Sequence, residues 1–160
     1  MTQNIFVAPC DAGNFDRTVT ELVDLTEYPD RPEALRNLDS ARLWGARDGS
    51  RNIDFFNKME ADDLVLFYED DNYVGVGRIE TTFEDDAQWV STTFWNDAPS
   101  KHIYTLSKFA PISVPKRHVN RIFDYSENYN PQGLMRIGDR RITAGVDAIE
   151  HAIKVFDEKY

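Results

Sequence analysis

The chain has 160 residues, 41% apolar and 29% charged, a formal net charge of −10 and a single cysteine, Cys10. That length fits one domain with a full core. One cysteine excludes an intrachain disulfide and a cysteine-built zinc site, and the longest apolar runs, such as LVLFY at 64–68, fall far short of the ~20 residues that span a bilayer. The opening MTQNIFVAP has neither a basic region nor a long apolar stretch, so no secretory signal or membrane partner is expected and the expected location is cytoplasmic.

In chain order, NIFVAPC (4–10) is a short apolar run closed by proline and reads as a strand. Val19, Leu22 and Val23 within FDRTVTELV (15–23) have helical spacing. The proline-bearing stretch 26–41 is expected to be irregular, with one helical turn at PEALRNL, and RLWG to be a brief strand. SRNIDFFNKM (50–59) predicts a helix capped by Ser50, with Ile53, Phe56 and Met59 on one face. DLVLFYED (63–70) and YVGVGRIETTFE (73–84) are strands joined by a tight Asp-Asn turn, a hairpin signal. AQWVSTTFW (87–95) fits either helix or strand. HIYTLSKFAPISVP (102–115) reads as one or two strands, KRHVNRIFDY (116–125) as a short helix, and SENYNPQGLMRIGD (126–139) as a polar loop.

Apolar residues at 146, 149, 152, 153, 155 and 156 make 142–160 an amphipathic helix. It runs to Tyr160 without a cap, so the expected organisation is a domain at 1–141 and a helix at 142–160 leading into a further domain. This order of elements predicts an α+β domain, built as a curved mixed sheet or small open barrel with helices packed around it.

At face value the acidity argues against a nucleic-acid partner. Two features offset it. Asp (18) outnumbers Glu (10) and Arg (12) outnumbers Lys (6), a balance that keeps a surface hydrated in concentrated salt and predicts a salt-loving source. The charge is also uneven: residues 1–99 hold 8 basic and 21 acidic side chains, residues 100–160 hold 10 and 7. A basic face is therefore expected in the second half.

The chemistry-bearing residues point away from catalysis. His102 reads as a surface residue, His151 as part of a helix face and His118, in KRH, as a phosphate contact; none stands in a catalytic spacing. No GxxxxGK[ST] occurs, and GVG (75–77) lies within a strand, where it makes room for a bulky neighbour. The pairs Asp62-Asp63, Asp70-Asp71 and Asp85-Asp86 read as solvated turns and not as metal ligands. Cys10 has no histidine partner in view. A binding module needing no metal or cofactor is expected ahead of an enzyme.

The aromatic residues are placed less ordinarily. Trp44 precedes a glycine turn, Trp89 and Trp95 share one segment, and Tyr68 ends a strand. For any single tryptophan, burial is the first expectation. Several at loop positions can also wall a cage, where a stacked base is worth about 1–3 kcal/mol. Arg47, Arg51, Lys116, Arg117, His118 and Arg121 are the candidate phosphate contacts.

The run LWGARDGSRNIDFFNKMEADDLVLFYEDDNYVGVGRIE (43–80) resembles the core of the YTH/EVE group of PUA-like domains. In that group a strand ending Trp-Gly or Trp-Ser leads to a helix beginning near an Asn, then a Gly-Asp turn (here Ala61-Asp62), an apolar strand and a "vGvg" strand. NIFVAPCDAGNF and IYTLSKFAPISVP resemble its first and a later strand, so the likeness spans most of 4–125. Within the group it is similar to the N-terminal recognition domains of archaeal McrB-type restriction proteins, which precede a GTP-hydrolysing AAA+ motor.

This resemblance implies a domain that holds a flipped, methylated base in an aromatic cage. Trp44 would form one wall and Trp95, ahead of Trp89, a second, with Tyr68 nearby. Cys10, Asp11 and Asn14 would meet the base edge, and the backbone of Gly45 and Ala46 would accept from the exocyclic amine. The implied partner is DNA carrying a modified base, N6-methyladenine ahead of methylcytosine, in a type IV restriction system with an AAA+ partner. An RNA-binding PUA-like domain is the alternative, and a small-molecule or protein-interaction domain that keeps only the fold is a third reading.

Overall fold

In the computed structural model of the chain, residues 3–95 and 99–157 are described. The strands are β1 (Ile5–Pro9), β2 (Val23–Asp24), β3 (Ser40–Ala46), β4 (Leu64–Glu69), β5 (Asn72–Glu84), β6 (His102–Pro115) and β7 (Met135–Arg136). The α-helices are α1 (Ala12–Phe15), α2 (Ser50–Phe56), α3 (Trp89–Phe94), α4 (Lys116–Ile122) and α5 (Val146–Val155). The strands form one mixed sheet in the order β2-β3-β6-β5-β4-β1-β7. β1 and β4 run parallel, from Ile5 beside Leu64 to Pro9 beside Tyr68, and the other pairs are antiparallel. This is the expected α+β architecture of a PUA-like domain, an open curved sheet with helices around it.

The long strands β5 and β6 carry the curvature. Their register shifts at Tyr73/Gly75, Arg78/Ile79 and Ile79/Thr81, and such irregularities bend and twist a ladder. Gly75 lies where a Cβ would stand 2.6 Å from the Phe109 ring, so the glycine expected to make room for a bulky neighbour does so. The β4–β5 hairpin turns on Asp70 and Asp71, both at positive φ (48° and 64°). The turn therefore sits one residue earlier than the expected Asp-Asn, with Asn72 already paired to Glu69.

Alternation along the strands divides the apolar residues between two faces. Phe6, Ala8, Val65 and Phe67 pack with Leu43, Trp44, Trp95 and Tyr104 inside the curve. Ile5, Val7, Leu64 and Leu66 pack on the outside against Val119 and Phe123 of α4 and Val146, Ile149 and Ile153 of α5. Helix α5 is also held by charge. Arg78, with a side chain 6% exposed, donates to Asp147 at 2.6 Å and to Glu150 at 2.7 Å, and Lys154 pairs with Glu150 at 2.9 Å.

Several local expectations give way to longer-range demands. The helix expected at 15–23 starts earlier, because the Asp11 carboxylate caps it by accepting from the Asn14 backbone N–H. It continues as a π-helical turn over Asp16–Thr20. Val23 instead pairs with Ala41 as strand. Ser50 does not cap α2; Gly49, at φ 139°, holds the cap position. The polar loop at 126–139 contains β7, which pairs Met135 with Val7.

One member of each of two acid pairs is not solvated, while its neighbour, Asp62 or Asp86, is exposed. Asp63 is 1% exposed and accepts from the backbone N–H of Asn4 and of Glu60, while Asp85 accepts from the N–H of Val90 at the start of α3. His102, expected at the surface, is 8% exposed and packs edge-on against Phe56. No helix among the described residues is long and apolar enough to cross a membrane. The last expected helix closes at Val155, and residues 158–160 lie outside the described residues.

Candidate functional site

The sheet does not close by pairing β1 with β3, and a cavity of about 380 Å³ opens in that seam. Along β1, Ile5 turns its carbonyl away from β4 and accepts from Ile137. Pro9 shares this outward sense, two pleats on, but β7 pairs β1 at Phe6 and Val7 and does not reach it. A proline fits there because it has no N–H to leave unsatisfied. Its carbonyl accepts from the Trp44 indole N–H at 3.3 Å, a bond that ties β3 to β1 across the gap. The cavity lies beside that bond, lined by Ala8, Pro9 and Cys10 on one side and by Trp44, Gly45, Ala46 and Arg47 on the other. Asn52, Gly133 and Leu134 complete it.

Trp44 is 7% exposed and meets Phe15 and Trp95 edge-on, each with ring centroids 5.3 Å apart. It lines both the cavity and a small recess beside it. Trp95 is 3% exposed, and its indole donates to Thr18 Oγ1 at 3.1 Å, while Thr18 in turn donates to the Leu43 carbonyl. Trp95 therefore stands behind Trp44 at an interplanar angle of 66°, a buttress and not a parallel second wall. It does line a small recess of about 40 Å³ beside the cavity, with Asp11 and Asn14. Residues 96–98, the loop expected after Trp95, lie outside the described residues.

The other proposed aromatics are elsewhere. Trp89 donates to Asp30 and packs on Tyr28 and Phe94, away from the cavity. Tyr68 follows Phe67 by one residue, so the pleat puts its ring on the opposite face of the sheet, against Tyr73.

Of the edge-contact residues, Cys10 and Asp11 line the cavity and Asn14 only the recess beside it. Cys10 is half-buried and donates to the Tyr68 carbonyl at 3.6 Å. Burial, reinforced by Glu69, Asp11 and Asp16, pushes its thiol up to about 12, so it stays protonated at neutral pH and is no nucleophile. Asp11 accepts from both the backbone and the amide of Asn14. A Cβ on Gly45 would stand 2.7 Å from Ser100 Oγ, so the glycine makes room for Ser100. Ser100 donates to the Ala46 carbonyl at 2.7 Å, which occupies one lone pair of the acceptor expected there.

Among the candidate phosphate contacts, Arg47 and Arg51 are exposed. Arg47 lines the cavity and Arg51 stands in the first turn of α2. Neither has an ion-pair partner among the described residues; Arg51 lies over the Phe55 ring. The basic residues of α4 are placed differently. Lys116 is bonded to Asp71 and Asn130, Arg121 is paired with Glu127, and His118 is stacked on Phe156 at 4.4 Å; Arg117 is exposed. The free cations beside the cavity thus come from the acidic half of the chain.

Sequence reasoning did not single out Ala8, Pro9, Gly133 and Leu134, which only the curl of the sheet brings to the cavity. It also placed Asn52 as a helix opener alone. Its amide donates to the Arg47 carbonyl at 3.2 Å, a bond that pins the loop carrying Arg47.

The site is thus a tryptophan-walled cavity at the unclosed seam of an open, curled mixed sheet. No family model matches the sequence, and no curated protein is significantly similar to it. Among solved structures, the chain is similar to the N-terminal domain of Thermococcus gammatolerans McrB bound to m5C DNA, with TM-score 0.71, 17% identity, and 95% of this chain and 100% of that one covered. It is also similar to a YTH domain from Zygosaccharomyces rouxii in complex with N6-methyladenosine RNA, with TM-score 0.59, 10% identity, and 99% and 92% covered. The likeness is one of fold, and it runs the length of both domains.

Proposed function

We propose that this chain reads methylated DNA by taking a flipped base into the seam cavity, as the specificity domain of a McrBC-like restriction system with an AAA+ motor as its partner. The observation that carries this reading is the cavity beside the fixed face of Trp44, with Arg47 in its lining and Arg51 in the first turn of α2. The two solved domains of the same fold, each bound to methylated nucleic acid, support it.

A base inside a duplex cannot enter a cavity in a barrel seam without leaving its stack, at a cost of a few kcal/mol, roughly, that stacking and edge hydrogen bonds must offset. The methyl group adds only about 0.8 kcal/mol on burial, or about fourfold in affinity. A larger preference requires a tight fit around it. The test is binding to matched duplexes carrying 5-methylcytosine, N6-methyladenine or neither, and to N6-methyladenosine RNA, in low and high salt. A methylated duplex is expected to bind tightest. Tightest binding to the RNA would favour the RNA-reading alternative, and no binding to any probe at any salt would leave only the fold.

Few free cations surround the cavity, so the salt dependence is expected to be shallow for a DNA-binding protein. Two phosphate contacts predict a slope of log affinity against log salt near −2, about −0.9 for each. Replacing Arg47 and Arg51 by Ala should flatten it by about that amount and weaken methylated and unmethylated duplexes alike. Charge reversal at Arg117 and Arg121 should change it less. If the ordering of these two pairs is reversed, the docking face lies on α4.

A further inference from the structure

Among the described side chains that line the cavity, Asn52 carries a polar atom that is held in place without a donor of its own. Asn52 stands in the first turn of α2, partly buried, and its Nδ2 donates to the Arg47 carbonyl at 3.2 Å. That bond sets the sense of the amide, because the reverse orientation would place two oxygens against each other. Oδ1 is thereby turned toward Gly133. A Cβ on Gly133, which holds φ at 60°, would stand 3.3 Å from it, and no described residue donates to it. The neighbouring polar side chains already have partners, the exposed Asp11 in Asn14 and Cys10 in the Tyr68 carbonyl. The wall therefore presents a held acceptor, left uncovered by a glycine in a conformation that other residues rarely adopt.

We propose that Asn52 Oδ1 accepts from the exocyclic amino group of the base in the cavity, so that the site takes amino-bearing bases and rejects their oxo counterparts. This rests on the reading that the cavity receives a base. A cavity that sensed only a 5-methyl group would take thymine as readily as 5-methylcytosine, since both carry that methyl on the same ring. On the adjoining edge they differ in kind: cytosine offers a 4-amino donor, thymine a 4-oxo acceptor. A fixed acceptor pairs with the first and is set against the second, leaving two desolvated oxygens unpaired. N6-methyladenine, which keeps one N–H, is likewise separated from hypoxanthine.

The experiment measures binding of the full chain to duplexes with the test base opposite an abasic site, so that no pairing must be broken. The probes are 5-methylcytosine against thymine, and N6-methyladenine against hypoxanthine. The wild type is expected to prefer the amino member of the pair it binds by roughly tenfold or more, the range of one unsatisfied buried polar group. Asn52→Ala should bring that ratio to within about threefold by weakening the amino base while the oxo base binds no worse. Gly133→Ala, which crowds Oδ1 but keeps the bond to Arg47, should shift the ratio the same way. Thermal unfolding would confirm that each variant is folded.

A ratio unchanged in Asn52→Ala, with both bases weakened together, would show that Asn52 only holds the Arg47 loop and would overturn the proposal. A wild type that prefers methylated over unmethylated DNA yet takes thymine equally well would sink the role of Asn52 alone. A wild type indifferent to methylation would sink the reading of the cavity itself.

Discussion

Trp44→Ala is expected to abolish the preference for a methylated base and also to lower stability by about 3–5 kcal/mol, the usual cost of truncating a buried tryptophan. Both effects follow from one position. The ring is 7% exposed, packs edge-on against Phe15 and Trp95, and spans the seam through its bond to Pro9. A tryptophan at a strand end reads as either core or ligand wall, and here the ring is packed in the core and also lines the cavity. The binding loss expected from stacking alone is about 1–3 kcal/mol, or roughly five- to 150-fold.

Trp44→Phe separates the two roles. It keeps an aromatic face and most of the packing but loses the indole N–H, so it should be more stable than the alanine variant while binding less well than the wild type. Affinities for methylated and unmethylated duplexes, measured beside thermal unfolding, check this. A folded Trp44→Ala protein that retains the wild-type preference would remove Trp44 from the site.

The second large effect is expected far from the cavity. Arg78→Ala should cost about 3 kcal/mol, because it removes the buried side of the ion pair and its hydrogen bonds to Glu150, which is only partly exposed. Glu150 keeps Lys154 as a partner, so this is the upper end for lost hydrogen bonds to a charged group, and for a chain of this size it corresponds to a fall in Tm of at most roughly 6–12 °C. The arginine holds α5 to the sheet through Glu150, with the exposed Asp147 adding little.

Acid should weaken the same joint. Burial opposes ionisation of Glu150, but hydrogen bonds from Lys154 and Arg78 outweigh it and hold the carboxyl below its ordinary value. A carboxyl with a depressed folded value stabilises fully above the unfolded value, 4.5, and loses that contribution as pH falls below it. Wild-type Tm should therefore drop more between pH 7 and pH 4 than that of Arg78→Ala. The folded variant should keep its methylation preference, since Arg78 touches nothing at the seam. An equal drop in both proteins would mean that this pair does not set the acid response.

Much of the fold is written locally. The alternation of LVLFY and VGVGRI, the residues of the hairpin between them and the spacing of Ile149 and Ile153 are short-range patterns. Period and turn chemistry act within a few residues, so they predicted the α+β class and most of the elements. The position of Trp44 before Gly45, at a strand end, was enough to single it out.

What the tertiary structure alone decided depends on which distant groups meet. Whether Asp63 is hydrated or buried turns on the N–H of Asn4, 59 residues away. Whether the ring of Tyr68 or of Phe67 faces Trp44 depends on the register of β4 in a sheet whose curl no local pattern encodes. The cavity belongs to this second kind. It exists because β7 stops short of Pro9 and β3 approaches β1 without pairing, so that Trp44, Asn52 and Gly133, far apart in the chain, surround one volume. Residue identity determined that a flat ring, a free guanidinium and an amide were available, and closure of the sheet decided that they face the same space.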